Sequence, residues 1–424
     1  MKILLVQSYL GGAEPPVFPL GLCCLKAALA AHEVRVFDLN TAARPFEQLR
    51  ELVAAFQPEV TGISLRNIDS TNKRTVVFYY PYLKDAVTAV KGASAAPLVV
   101  GGSGFSMFAR EIMEDEPRID LGVFLEGERT FPLLLESLDR PGAVPSVFYR
   151  EGGAVRFSGP GEQVDLDAVP HPDRMAVVLD AYTGFSEGIG VETKRGCLLD
   201  CLYCIYGFLN GKKLRLRAPG KVVDEIETLI GRHGVRRFTF VDSVFNIPLR
   251  HAEEVCRELV RRGVRAEWSA WFNEKNLSRE FLELARDAGC RNVILSPDGF
   301  SDAVLERLGK NIRMGDIRQS YEALRSVDGF EVSYNFFKNP PGQSFGAALA
   351  LIAFVARARR QMGRRVHFEF NAIRVEPHTR LLRTAVAEGL VREGESLLYP
   401  RYYTQRSTRA IEWLFNAMLR LKGR

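Results

Sequence analysis

Cys197, Cys201 and Cys204 stand in a C-x3-C-x2-C spacing near the middle of a 424-residue chain. The run reads Lys194-Arg195-Gly196-Cys197-Leu198-Leu199-Asp200-Cys201-Leu202-Tyr203-Cys204. Three thiolates this close in sequence can hold three corners of a cubic four-iron cluster. Soft sulfur donors select iron–sulfur chemistry over that of hard cations. With no fourth cysteine, one iron stays open to a substrate or cofactor. The competing reading is a structural zinc site, which wants four protein ligands. No second Cys pair or Cys/His pair lies nearby. Cys256 and Cys290 fall singly in apolar patterns and read as buried core thiols.

The rest of the composition is that of a globular protein with room for two or three domains. Lys and Arg total 57 against 51 Asp and Glu, a net charge of +6. That surplus is spread thinly, which argues against a nucleic-acid partner. The basic segment 401–424 reads as a solvated helix face. No apolar run is long enough to span a membrane. The first residues, Met1-Lys2-Ile3-Leu4-Leu5-Val6, read as a buried strand and not as a signal peptide. Seven cysteines with a close triad fit a reducing cytoplasm better than a disulfide framework.

The elements that must position such a site alternate. Strands are expected at 2–7, 33–38, 60–65, 98–100 and 121–125, with helical stretches between them. This pattern means an open parallel sheet, whose ligands bind outside the strand carboxyl ends. Those ends carry Arg66, then Gly101-Gly102-Ser103-Gly104, then Glu126-Gly127-Glu128. Alone, the glycine run is as readily a plain turn, and Arg66 is more readily the salt-bridge partner of Asp69 or another carboxylate. Segment 145–187 is rich in Gly and Pro and reads as a connector with a hairpin at 147–157. The alternation then restarts, with strands expected at 188–193, 237–241, 265–271, 292–295, 331–336 and 367–372. Trp268 and Trp271 alternate along the third of these, so at least one must face the covering helices.

With Tyr203 before the last cysteine, the central run resembles the cluster loop of the radical S-adenosylmethionine (SAM) superfamily. Pro19-Leu20-Gly21, Val99-Val100-Gly101-Gly102 and Glu126-Gly127-Glu128 together resemble the cobalamin-binding domain that precedes many radical SAM domains. Segment 299–310 resembles one common in cobalamin-type members. Pro297-Asp298 stands where the family usually has Glu-Ser, and Asn339-Pro340-Pro341-Gly342-Gln343 replaces two residues of its Gly-x-Pro-Gly-Glu turn. The Asp-x-His-x-x-Gly motif of other cobalamin proteins is missing.

The resemblance implies an α/β architecture. A Rossmann-like cobalamin-binding domain (1–144) is followed by a linker (145–187), a partial (β/α)6 radical SAM barrel (188–385) and a short helical C-terminal region (386–424). It implies a [4Fe–4S] cluster on Cys197, Cys201 and Cys204, together with SAM and cobalamin. Tyr203, Asp242, Ser296, Asp298 and Asn335 would serve SAM. Leu20, Gly21, Arg66, Gly101, Gly102, Ser103, Gly104, Glu126, Gly127 and Glu128 would serve cobalamin. No histidine would bind cobalt. Arg66 would act in catalysis as a cation beneath it, excluding an axial water.

The implied enzyme moves a methyl from SAM, through methylcobalamin, to an unactivated carbon or phosphorus of a small molecule or short peptide. It is expected to be a cytoplasmic monomer fed by an external electron donor. A second reading keeps the cofactors but performs cyclisation, oxidation or rearrangement. A third makes the N-terminal domain only a sensing or structural module.

Overall fold

The computed structural model describes residues 1–12, 15–183 and 188–421. The chain divides into two compact units, Met1–Ile189 and Gly190–Arg424.

In the first unit, β1 (Lys2–Gln7), β2 (Glu33–Asp38), β3 (Val60–Ser64), β4 (Leu98–Gly101) and β5 (Leu121–Val123) form a parallel sheet. The spatial order is β2-β1-β3-β4-β5, so the chain reverses direction across the sheet between β1 and β3. That reversal opens a crevice at the strand carboxyl ends. Helices α1 (Leu20–Ala28), α2 (Pro45–Phe56), α3 (Tyr80–Lys91), α4 (Ser103–Met107), α5 (Ala109–Asp115) and α6 (Gly127–Leu135) connect the strands. Ile3, Leu4, Leu5 and Val6 are all buried, as expected where both faces of a parallel strand are covered. Pro45 opens α2 with its φ already set for a helix. Leu49, Val53 and Phe56 then bury one stripe, and Gln57 ends the helix at a left-handed φ of 51°.

The hairpin expected inside 145–187 forms as β6 (Val147–Glu151) and β7 (Ala154–Phe157). It extends the first sheet, with β6 antiparallel to β5. Phe148 and Phe157 stack across it at 4.6 Å between ring centres. A short helix α7 (Asp180–Thr183) follows. Its Tyr182 hydroxyl donates to Asp38 at the end of β2 (2.5 Å), which ties the segment to this unit.

The second unit holds six parallel strands: β8 (Gly190–Val191), β11 (Arg237–Phe240), β12 (Glu267–Phe272), β13 (Cys290–Asp298), β14 (Glu331–Phe337) and β15 (Val366–Asn371). They pair in chain order and leave β8 and β15 as open edges. This is the partial barrel. Between β8 and β11 come the short pair β9 (Lys194–Arg195) and β10 (Arg215–Leu216), helix α8 (Tyr206–Leu209) and helix α9 (Pro219–His233). Helices α10 (Leu249–Arg261), α11 (Arg279–Asp287), α12 (Asp302–Arg307), α13 (Met314–Ser326) and α14 (Phe345–Met362) cover one face.

Alternation sorts the strand residues. Phe240, Trp268, Phe272, Tyr334, Phe336 and Phe368 pack toward the helices, where Phe281 and Phe354 meet them. The other face is polar: Thr239 pairs with Ser269 (2.8 Å), and Ser333 with Asn292 (3.2 Å). Trp268 is therefore core, its Nε1 donating to Ala288 O (2.8 Å), while Trp271 shares the polar parity of Ser269.

The C-terminal region is stitched to the barrel. It comprises β16 (Ile373–Arg374), α15 (Arg380–Ala387), β17 (Tyr402–Tyr403) and α16 (Arg409–Leu421). The Asn339-to-Gln343 turn serves this docking. Asn339 Nδ2 donates to Gln405 O (2.8 Å), and Gly342 N donates to Gln405 Oε1 (2.7 Å). Of the basic tail, residues 422–424 lie outside the described residues. No described helix is long and apolar enough to cross a membrane.

Candidate functional site

The cysteine loop leaves β9 at Gly196, whose φ is 101°. A Cβ there would lie 2.1 Å from Lys213 O, so the turn requires glycine. Main-chain bonds then fix the loop from three sides. Cys197 N donates to Gly211 O (3.0 Å), Leu202 N to Leu308 O (2.8 Å), and Leu381 N to Leu202 O (2.9 Å). Lys212 pairs with Asp200 (2.9 Å), as does Arg380 (3.0 Å). Cys197 is buried and the other two thiols are partly exposed. Burial pushes the Cys201 thiol up and Cys204 up to about 12, and metal binding would displace these protons.

Among the described residues, no three His, Cys, Asp or Glu side chains converge on a point that would hold a single ion. A cubic cluster asks something else, that each thiolate reach its own corner. The triad on one pinned loop fits that demand. Replacing Gly196 with Ala should cost about 2 kcal/mol or more in loop conformation. The expected result is loss of most bound iron, read by iron analysis after anaerobic reconstitution, with the fold retained by circular dichroism.

Of the residues expected near SAM, Asp242 is otherwise engaged. Its carboxylate is buried and accepts from Thr193 N (2.8 Å), Lys194 N (3.2 Å), Thr193 Oγ1 (2.5 Å) and Lys194 Nζ (2.8 Å). Both oxygens are filled, and the acid holds the approach to the cysteine loop in place. Asp298 is also engaged, with φ at 66° and Lys310 Nζ at 2.7 Å. The Tyr203 hydroxyl donates to the same oxygen of Asp298. Ser296 and Asn335 come together on the polar face (3.4 Å) and keep their remaining capacity.

Two buried charges were missed by sequence reasoning. Lys310 is 7% exposed in its side chain, and Glu274 is 3% exposed as a residue. Glu274 Oε1 accepts no hydrogen bond. Burial pushes its carboxyl up to about 7, against the opposing pull of Lys310. The available signal was position: Glu274 stands two residues after β12, and Lys310 follows the turn closing α12.

In the first unit the β3 exit and the β4 turn meet. Leu65 N donates to Gly101 O (2.8 Å), Gly104 N donates to Leu65 O (2.9 Å), and Ser103 Oγ donates to Arg66 O (2.6 Å). Gly102 has φ of 95°, and a Cβ there would lie 2.6 Å from Leu65 O. The glycine run thus lets two strand exits close on each other. Arg66 is exposed and has no ion pair among the described residues; Asp69 instead accepts from Thr71 N (2.7 Å). A Cβ at Gly21, beside Leu20 at the start of α1, would meet nothing within 4 Å among the described residues. Gly127 lets α6 approach Leu25 of α1, where a Cβ would meet Leu25 Cδ2 at 2.9 Å. Glu126 Oε2 accepts from Val164 N (2.9 Å), and Glu128 lies in the first turn of α6. An unpaired cation with open, close-approach backbone beside it fits a large, flat, anionic-tailed ligand such as cobalamin.

Comparison with known proteins gives two family matches, the B12 binding domain over residues 8–135 and the Radical SAM superfamily over residues 191–345. The chain is 24% identical over 407 residues to an uncharacterized methyltransferase of Pyrococcus horikoshii, covering 92% of this chain and 84% of that protein. It is 25% identical over 353 residues to the anaerobic magnesium-protoporphyrin IX monomethyl ester cyclase of Cereibacter sphaeroides, covering 78% of this chain and 56% of the cyclase. The fold matches that of the radical SAM methyltransferase TsrM from Kitasatospora setae, solved with cobalamin and a [4Fe-4S] cluster. The TM-score is 0.79 at 24% identity, covering 91% of this chain and 78% of that one. A cysteine triad on a partial barrel, preceded by a B12-binding sheet, agrees with the two domain matches and places the chain among the cobalamin-dependent radical SAM enzymes, with [4Fe–4S], SAM and cobalamin as cofactors.

Proposed function

We propose that the chain is a cobalamin-dependent radical SAM methyltransferase, carrying a methyl from SAM by way of cobalamin to a carbon or phosphorus of a small molecule or short peptide. The carrying observation is Arg66, an exposed guanidinium without an ion pair among the described residues, at the β3 exit of a B12-binding sheet. The bound cofactors supply the hard steps, single electrons from the cluster to the sulfonium of SAM and a cobalt centre that accepts and passes on methyl.

The chain's own residues bind and orient. Arg66 would supply a permanent cation to the bound cofactor, and a guanidinium has no lone pair to offer a metal. Gly102, Ser103 and Gly104 hold the β4 turn against the β3 exit and would thereby fix the position of Arg66 toward the cofactor. Leu20, Gly21 and the 126–128 turn line the neighbouring edge. Cys197, Cys201 and Cys204 hold the cluster, Tyr203 steadies their loop, and Ser296 and Asn335 face the polar parts of SAM. The enzyme is read as a cytoplasmic monomer that draws electrons from an external donor.

Similarity to the cyclase favours a second reading, ring formation or oxidation without methyl transfer. Incubation with methyl-labelled SAM and candidate substrates under anoxia, followed by mass spectrometry, separates the two. Label in the product supports methyl transfer. A cyclised or oxidised product without label overturns it. Loss of corrin from the folded protein would reduce the first unit to a structural or sensing module.

Arg66→Lys adds a test of the cation. Ammonium is compact and can lose its proton when buried, unlike guanidinium. The Co(II) paramagnetic spectrum should move from four- toward five-coordinate, turnover should fall roughly tenfold or more, and iron content should hold. An unchanged spectrum and rate return Arg66 to a surface role.

A further inference from the structure

We propose that Lys310 sets the reduction potential of the cluster, as a fixed buried cation that favours the reduced state. The proposal rests on the triad holding a [4Fe–4S] cluster and is independent of whether methyl is transferred.

Geometry places this cation against the cysteine loop. Lys310 follows Gly309, whose φ is 66° and whose Cβ position would lie 2.6 Å from Asp200 O. The preceding carbonyl, Leu308 O, accepts from Leu202 N at 2.8 Å. The turn that carries Lys310 is therefore pressed onto the loop between Cys197 and Cys204. Lys310 Nζ donates to Ser296 O (2.6 Å) and Asp298 Oδ2 (2.7 Å), and lies 3.5 Å from the Tyr203 hydroxyl. Three oxygens aim the ammonium, so it cannot swing out to water. Tyr203 adjoins Cys204 and packs edge-on against Phe337 at 4.8 Å between ring centres.

The pair is not electrically neutral as seen from the thiols. At Cys201 the pull of Lys310 is the largest influence of any charged group, ahead of the push from Asp298. Cys204 also feels Lys310. When one electron enters from a low-potential reductant, the cluster charge falls from 2+ to 1+ and no bond breaks. A nearby positive charge in a low-dielectric site stabilises that added negative charge and raises the midpoint. Lys212 also acts on Cys201, but its side chain is about half exposed and water screens it.

The test is a potentiometric titration of the reconstituted protein without SAM, followed by paramagnetic resonance of the reduced cluster. K310M should lower the reduced-to-oxidised ratio at a fixed poise about tenfold, which is ~59 mV for one electron. D298N keeps the ammonium and removes the anion, so its midpoint should rise. Y203F keeps both charges and should leave the midpoint in place. A midpoint unchanged or raised in K310M overturns the proposal, as does a midpoint lowered in D298N. If K310M assembles no cluster, the sign in D298N alone decides. A purely structural role would lower iron content in both charge variants and would not move their midpoints in opposite directions. Wild-type protein that takes up no cluster would instead refute the triad assignment.

Discussion

With Cys197, Cys201 and Cys204 all changed to Ala, reconstituted protein is expected to hold no cluster, its iron falling from about four per chain to background. The broad visible absorption of the cluster and all reductive cleavage of SAM should vanish with it. The loop itself should survive, because the bonds that shape it come from the main chain. Cys197 N, Leu202 N and Leu381 N find their carbonyl partners whatever the side chain at 197, 201 or 204. Cobalamin binding by the first unit should persist, since no triad residue belongs to it. Cys256 and Cys290 are wholly buried in the core and offer no substitute ligands. Iron retained in the triple variant would show that the triad is not the cluster site.

Glu274→Gln should stabilise the cofactor-free protein at pH 8 and change little at pH 5. The Glu274 carboxyl stands at about 7 in the folded chain against 4.5 in the unfolded one, mainly through burial. Between those values the folded state binds more protons, so wild-type stability falls as pH rises through the window. Above about pH 7 the full cost, about 3 kcal/mol, is present. Glutamine carries no charge at either pH and escapes it. Denaturant unfolding at pH 5 and pH 8 should show a wild-type loss that the variant lacks. Parallel behaviour of the two proteins would mean that Glu274 is solvated or otherwise compensated.

Local patterns in the sequence carry much of this fold. Consecutive apolar residues at 3–6 can only be a doubly covered strand, and the spacing of the three cysteines needs no tertiary knowledge. Arg66 is placed beside a strand exit by counting along the chain. What was hidden depends on distant partners. Asp242 looks like a free acid at a strand end, yet Lys194, 48 positions earlier, fills it. Asp298 stands at a strand end in the sequence, and its partners Lys310 and Tyr203 come to it only in the fold. The strand expected at 188–193 shortens to Gly190–Val191 because Thr193 turns to meet Asp242. The 147–157 hairpin shows its turn in sequence but not the sheet edge it joins. Burial of Glu274 is likewise a property of the packing around β12, and no local pattern announces a carboxylate oxygen left without a donor.

The anchoring of Leu202 has a consequence for the order of events during synthesis. Its amide needs the carbonyl of Leu308, and its carbonyl is met by the amide of Leu381. A ribosome that has just released the three cysteines has more than a hundred residues still to make before the first of these partners exists. At 5–20 residues per second that is a delay of about five to twenty seconds. Until residue 381 emerges, the thiols ride on an unshaped segment, open to air and to stray metals. Iron delivery to this chain therefore follows the synthesis of residue 381, and oxygen exposure before that point should damage it more than exposure after.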